Sequence, residues 1–281
     1  MSERRSKTRR LFPPNLVADE KHSRWLGKRI YIAVTAAKEC FLGVGVAHSA
    51  DETGLTQAYR EFQQEALALN PAYCPETVNT DGWDATQQAW KTLFPGITLM
   101  LCFLHTVLGI QQHCRRDKVL YKDVTEKLWR LFHALNPRQF GQRLRRLQEW
   151  ASTHVSHEIV LKKLVALKTK ATQFKLTFNA SQAYRTSNQV DRLINYQDRI
   201  LYQMQYFHGS DDSTRMAIRA MALLWNFHPY CQKIQGDCAF TCSPFRDLNG
   251  FAYDNHWLKN LLIASSLNGR GMGKFLEHKL T

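Results

Sequence analysis

Apolar residues recur along this chain with two different periods. Branched and aromatic residues crowd the short runs Arg29-Ile-Tyr-Ile-Ala-Val-Thr35 and Phe41-Leu-Gly-Val-Gly-Val-Ala-His48, bounded by Gly27-Lys28 and Lys38-Glu39, which marks strands joined by turns. With the extended stretch Asn15–Glu20 behind Pro13-Pro14, they predict a three-stranded antiparallel meander. Spacing then switches to three and four at Leu55, Ala58, Tyr59, Phe62, Ala66 and Leu69, an amphipathic helix closed by Pro71 and Pro75. Glu76–Thr80 reads as a short strand entering Asp81-Gly82. Asp84, with Gln87 three residues on, reads as a capping-box variant opening a helix to Leu93 before Pro95. Ile97–Leu101 forms a further buried strand, with a helix from about Phe103.

Beyond Arg115 the pattern is helical and basic: to Lys170 there are 14 Lys or Arg against 5 Asp or Glu, an excess of +9. A long helix follows from Ser187 to about Phe207, with Thr186-Ser187 as cap and Gly209 as stop, and another from Asp212 to Phe227 before Pro229. The stretch from Tyr230 to Thr281 is mixed, with a helix over Trp257–Leu267. Gly269, Gly271 and Gly273 follow no strand and read as a flexible run, not a phosphate-binding loop. The expected organisation is a flexible basic arm (1–12), the first part of an α/β core (13–116), a basic helical insertion (117–180), core completion (181–228) and a mixed C-terminal segment (229–281).

The 281 residues are 44% hydrophobic, enough for a core, and the net charge of +14 places a polyanion such as nucleic acid high among partners. Arg4, Arg5, Lys7, Arg9 and Arg10 have no apolar stretch behind them, which argues against a secretory signal. Seven cysteines without regular spacing fit a reduced, intracellular protein better than a disulfide framework. The longest apolar run, Ile97–Ile110, contains His105 and falls short of the roughly 20 residues a bilayer crossing needs.

Phosphoryl transfer on nucleic acid needs divalent ions, often a pair about 3.5–4 Å apart, held by carboxylates at strand ends or on a facing helix. Asp19, in Leu16-Val-Ala-Asp19, and Asp81, in Val78-Asn-Thr-Asp81, follow small or apolar residues that would fix them. Each also reads as a solvated strand-end or turn residue. Asp191 lies in the first turn after Thr186-Ser187, where the helix dipole alone would stabilise a carboxylate, and Asp198 and Glu20 are weaker alternatives as ligands. Cys102 and His105 share a helix face, but a zinc site needs two further ligands, and Cys231, Cys238 and Cys242 lack the spacing.

These residues carry a resemblance. The series Asp19-Glu-Lys-His22, Asn79-Thr-Asp-Gly-Trp83, Leu93-Phe-Pro95, Cys102-Phe-Leu-His105 and Arg185-Thr-Ser-Asn-Gln-Val-Asp-Arg192 resembles the catalytic region of insertion-sequence transposases of the DDE/D type, over about residues 13–268. Ser243–Gly250 and Trp257–Leu262 are similar to transposase-like proteins of bacterial genomes. The resemblance implies an α/β, RNase H-like fold: a mixed sheet of three antiparallel strands plus parallel strands, flanked by helices, with a basic all-helical insertion. It implies three acids, on the first strand, after the fourth strand and on a later helix, that hold two Mg²⁺ or Mn²⁺ ions. They match Asp19, Asp81 and Asp191, the last standing where the family usually has Glu. The activity implied is metal-dependent DNA strand cleavage and strand transfer in transposition, on transposon ends and target DNA, by a homo-oligomer in the bacterial cytoplasm at the nucleoid. Relatives carry an N-terminal end-recognition segment, whereas 18 residues precede Asp19, so the expectation is a segment encoded elsewhere or a truncated copy.

By the same match, His105 lies near the active centre and touches DNA, or else is a satisfied core histidine. Trp83 stacks on a displaced base or packs in the core. Arg185, Arg192 and Arg199 neutralise phosphates or pair with Asp191 or Asp198, and the cluster Arg143, Arg145 and Arg146, interleaved with Trp129 and Trp150, grips DNA backbone or is a solvated face. Two other classes compete with a transposase: a non-catalytic DNA-binding remnant, and a metal-dependent nuclease that cuts structured DNA without joining ends.

Overall fold

A computed structural model describes residues 12–180, 182–231 and 242–266; most of the basic arm, Cys238 and the glycine run at 269–273 lie outside them. The architecture is α/β, a mixed five-stranded sheet flanked by helices, compatible with an RNase H-like arrangement. The chain divides into two compact units: residues to Glu76 with Trp83–Ile97 and Gln189 onward, and Thr77–Gly82 with Thr98–Asn188. The second unit therefore takes in the strands on either side of Trp83–Ile97 as well as the basic helices.

In the first unit, β1 (Asn15–Trp25), β2 (Lys28–Ala37) and β3 (Cys40–Ala47) form the meander. The β1–β2 ladder runs from Val17 opposite Ala36 to Trp25 opposite Lys28, so β1 continues past Glu20. Apolar patterning misses this extension because Lys21, His22 and Arg24 are polar, and the backbone ladder carries them on as strand. Both loop residues of the hairpin, Leu26 (φ 49°) and Gly27 (φ 76°), have the positive φ that two-residue turns matching strand twist require. The turn thus falls one residue earlier than Gly27-Lys28.

Helix α1 (Glu52–Leu69) packs on this sheet, and Asp51, capping it by accepting from Gly54 N–H at 2.7 Å, adds a turn before Leu55. A Cβ on Gly45 would stand 2.2 Å from the Ala58 carbonyl oxygen and one on Gly43 2.6 Å from Phe62 Cβ, so only glycine admits the helix this close. Helix α2 (Asp84–Leu93) adds Trp90, whose ring stacks on Phe94 at 5.8 Å, and Tyr59, Phe62, Tyr73 and Phe12 complete an aromatic core. The capping box at Asp84 does not form: Trp83 occupies the cap position, its side chain does not cap the helix, and Asp84 begins it.

The chain returns as α8 (Asn188–Gln203) and α9 (Asp211–Phe227, capped by Ser210). Helix α8 stops short of Phe207 because Gln205 (φ 55°) and Tyr206 (φ 72°) turn left-handed and Phe207 bridges to Trp25, so Gly209 is not the stop signal. A short helix that the apolar pattern misses, α10 (Pro244–Asn249), shows the usual bracket, Pro at its start and left-handed Gly250 after its end. Helix α11 (Trp257–Ser266) ends the described chain.

The second unit pairs β4 (Thr77–Thr80) with β5 (Thr98–Leu101) in parallel and continues as α3 (Phe103–Cys114), α4 (Lys118–Phe132), α5 (Pro137–His154), α6 (Glu158–Thr169) and α7 (Ala171–Leu176). Val107, Leu128, Leu131, Phe140, Leu147 and Leu164 close one apolar cluster among these helices, leaving the Lys and Arg outside. Asp117 and Asn136 cap α4 and α5. Cys40, Cys74, Cys102, Cys114 and Cys231 are free thiols, and no helix among the described residues is long and apolar enough to cross a membrane.

Candidate metal centre

Alternation along β1 separates two neighbouring acids. Glu20 points to the helical side, where its Oε1 accepts from Tyr59 Oη at 2.7 Å and Thr86 Oγ1 at 2.6 Å. Burial, followed by the charges of Glu20 and Asp19, pushes the Tyr59 phenol well above its ordinary value, keeping it a donor. Asp19 points the other way, toward α8, and one of its carboxylate oxygens accepts from Glu20 N–H at 2.8 Å.

On α8 the residues Val190, Leu193, Ile194, Gln197 and Leu201 are buried, which sets Asp191 and Asp198 along the margin of that face. Asp198 is taken by Lys21 at 2.6 Å. Asp191, in the first turn, offers a carboxylate oxygen within 4.8 Å of one from Asp19, and both residues are half-buried. Two carboxylates this close repel when both are ionised and gain from a cation between them. The two carboxylates, oxygen donors that together carry two negative charges, suit a hard divalent ion such as Mg²⁺ or Mn²⁺. Of the sequence candidates within the first unit, Asp19 and Asp191 are thus brought together, while Glu20 and Asp198 are engaged elsewhere.

Asp81 belongs to the second unit. It is exposed, directly after β4, whose end is fixed by Asn79 Nδ2 donating to the Tyr184 carbonyl at 2.8 Å and Cys102 N–H donating to the Thr80 carbonyl at 2.7 Å. Gly82 follows at φ 94°.

Cys102 caps α3 and is fully buried. Its Sγ accepts from the backbone N–H groups of His105 (3.5 Å) and Ser187 (3.2 Å) and from Ser187 Oγ (3.2 Å), while Ser187 Oγ also lies 3.1 Å from His105 Nδ1. Burial raises the thiol pKa, but hydrogen bonds from His105 and Ser187 outweigh it, so the net shift is downward. A hydroxyl has one proton, so when Ser187 donates to sulfur it accepts from His105 Nδ1–H. Ser187 was expected as a helix cap; its burial beside Cys102 depends on the fold and has no signature in the local sequence.

The predicted DNA contacts differ in availability. Trp83 is half-buried, its ring 6.2 Å from Tyr31. Arg145 and Arg146 are exposed, Arg145 facing Glu149 at 3.8 Å, and Arg143 donates to the Arg130 carbonyl. Trp150 has the Lys127 ammonium 4.6 Å from its ring centroid and His154 stacked at 5.7 Å; Trp129 packs edge-on against Phe132. Arg185 is drawn inward, donating to the Phe132 carbonyl at 2.6 Å over the rings of Phe132 and Phe178, and burial lowers its pKa. Arg192 pairs with Glu39, and Arg199 is exposed with Nε on the Asn195 carbonyl.

No family model matches the chain, and no curated protein matches it. Among solved structures, the catalytic core domain of BIV integrase is similar at 13% identity, over 59% of this chain and 97% of that one, with a TM-score of 0.22. At that score the likeness does not fix the fold.

Proposed function

We propose that this chain is the catalytic region of a DNA transposase that cleaves a phosphodiester at an element end and joins the freed 3′-hydroxyl to target DNA. The observation that carries the reading is the convergence of Asp19 and Asp191, far apart in sequence, to within 4.8 Å, the two acids the transposase pattern assigns to one site. Asp81 completes the set of acids, and two Mg²⁺ or Mn²⁺ ions, when bound, supply the positive charge and acidity that phosphodiester chemistry needs. Asp19 is held in register by the β1–β2 ladder and Asp191 by the first turn of α8, so both carboxylates stand on regular backbone. By the transposase pattern His105, whose Nδ1 lies 3.1 Å from Ser187 Oγ, contacts DNA. Exposed Arg145, Arg146 and Arg199 contact DNA phosphates, and the protein acts as a homo-oligomer on paired ends.

The test is Mn²⁺ calorimetry and duplex cleavage on the wild type and on Asp19→Asn, Asp81→Asn and Asp191→Asn, each with DNA present. All three variants are expected to lose Mn²⁺ binding and cleavage while keeping DNA binding. Mn²⁺ binding indifferent to Asp191→Asn, or DNA binding lost in step with cleavage, would overturn the assignment.

A further inference from the structure

The far end of the β1–β2 hairpin carries a second cluster that the metal centre does not use. Beyond Asp19, exposed His22, Arg24 and Arg29 crowd the two strands within a few residues of the turn. They line a cleft of about 580 Å³ with Tyr206, and a second cleft of about 470 Å³, sharing His22 and Tyr206, continues it along Arg199 and Tyr202 of α8. The acid lining the two clefts is Asp198, and its charge is already met by Lys21 at 2.6 Å. Arg24, Arg29 and Arg199 therefore leave the groove a net excess of positive charge.

Its aromatic residues are placed unusually. Tyr202 is 78% exposed at the end of α8, where packing gives no reason for a large ring. Tyr206 sits at φ 72°, a backbone region that a bulky side chain rarely adopts. The turn is locked: Tyr206 N–H donates to the Leu201 carbonyl at 2.8 Å, Phe207 N–H to Arg24 at 3.2 Å, Leu26 N–H to Phe207 at 2.9 Å, and Trp25 Nε1 to Gly209 at 2.7 Å. This clamp fixes the Tyr206 ring against the groove, with the Arg24 guanidinium 5.6 Å from its centroid.

The geometry points to a binding groove for single-stranded DNA, in which Tyr202 and Tyr206 stack on bases while Arg24, Arg29 and Arg199 follow the phosphates. Rings that take any base face beside cations that take any phosphate bind a strand without reading its sequence, and paired bases have no face to offer. The inference rests on the reading of the chain as a DNA-processing enzyme and adds where a strand separated from its partner is held.

The test is fluorescence anisotropy with a labelled single-stranded oligodeoxynucleotide of mixed sequence, with the same strand annealed to its complement, and with its RNA equivalent. Tyr202→Ala, fully surface-placed, is expected to weaken single-strand binding by about tenfold with little effect on the duplex. Arg24→Gln with Arg29→Gln should lower the salt dependence of binding by about one to two charges. Arg60→Gln, an exposed cation of α1, serves as the control with no effect. Single-strand binding unchanged by Tyr202→Ala, equal losses on single strand and duplex, or a tenfold preference for RNA would each overturn the groove. Metal-dependent duplex cleavage, measured in parallel, separates the two proposals. Cleavage that survives while Tyr202→Ala has no effect removes the groove alone, and a Tyr202-dependent single strand without cleavage removes the catalytic reading alone.

Discussion

The two units solve core packing in opposite ways. In the first, α1 approaches β3 until backbone meets backbone, with Gly43 and Gly45 giving up their side chains and large rings filling what remains. In the second, five short helices bring Leu, Val and Phe side chains to a shared cluster, and its strands contribute only a parallel pair. Shape close to the backbone limits the first; the volume of aliphatic side chains limits the second. The first therefore resists the addition of atoms, the second their removal.

Leu128→Ala in the second unit is the largest test of this contrast: Leu128 is fully buried, and truncation is expected to lose about 2–5 kcal/mol in urea denaturation. A loss well under that range would mean that the helices collapse around the gap and that volume is not the limit. Gly45→Ala in the first unit adds one carbon where 2.2 Å is available, and overpacking of this kind costs about 1–3 kcal/mol. A neutral result would mean that α1 can slide and would remove the distinction.

Gln197, fully buried on α8, finds no hydrogen-bond partner for either side-chain atom among the described residues. Replacing it with similarly sized methionine is expected to raise stability by about 1 kcal/mol, since the unmet polar group disappears without new volume. A loss instead would reveal a buried water bound to the amide.

The smallest effect is an acid one, also in the first unit. The hydrogen bond from Arg215, with a smaller contribution from His48, holds Asp211 below its ordinary value of 3.8. A depressed carboxylate stabilises the fold above the unfolded value, and that contribution fades as pH falls through the folded one. Thermal melts should therefore lose stability below pH 3.8, by less in Arg215→Gln than in wild type.

Much of this was legible from the amino-acid pattern. The strands around Ile30–Val34 and Phe41–Ala47 and the helix through Tyr59 and Phe62 announce themselves because burial and periodicity coincide. The second half of β1 was not, because backbone pairing holds its polar residues; nor was the end of α8, where non-glycine residues turn left-handed against usual preference. At the candidate centre, Asp19 and Asp191 are each named from the sequence and stand within 4.8 Å of one another, whereas the burial of Ser187 beside Cys102 and the capture of Arg185 by two phenyl rings depend on contacts that no local window contains.

Trp150 gives the second unit an optical handle. Its indole is only half-buried, beside the Lys127 ammonium and stacked on His154, so its emission should be dimmer and redder than that of fully buried Trp90. With seven tryptophans in the chain, subtracting the emission of a Trp150→Phe variant from that of the wild type would therefore follow the second unit as it unfolds, without an added label.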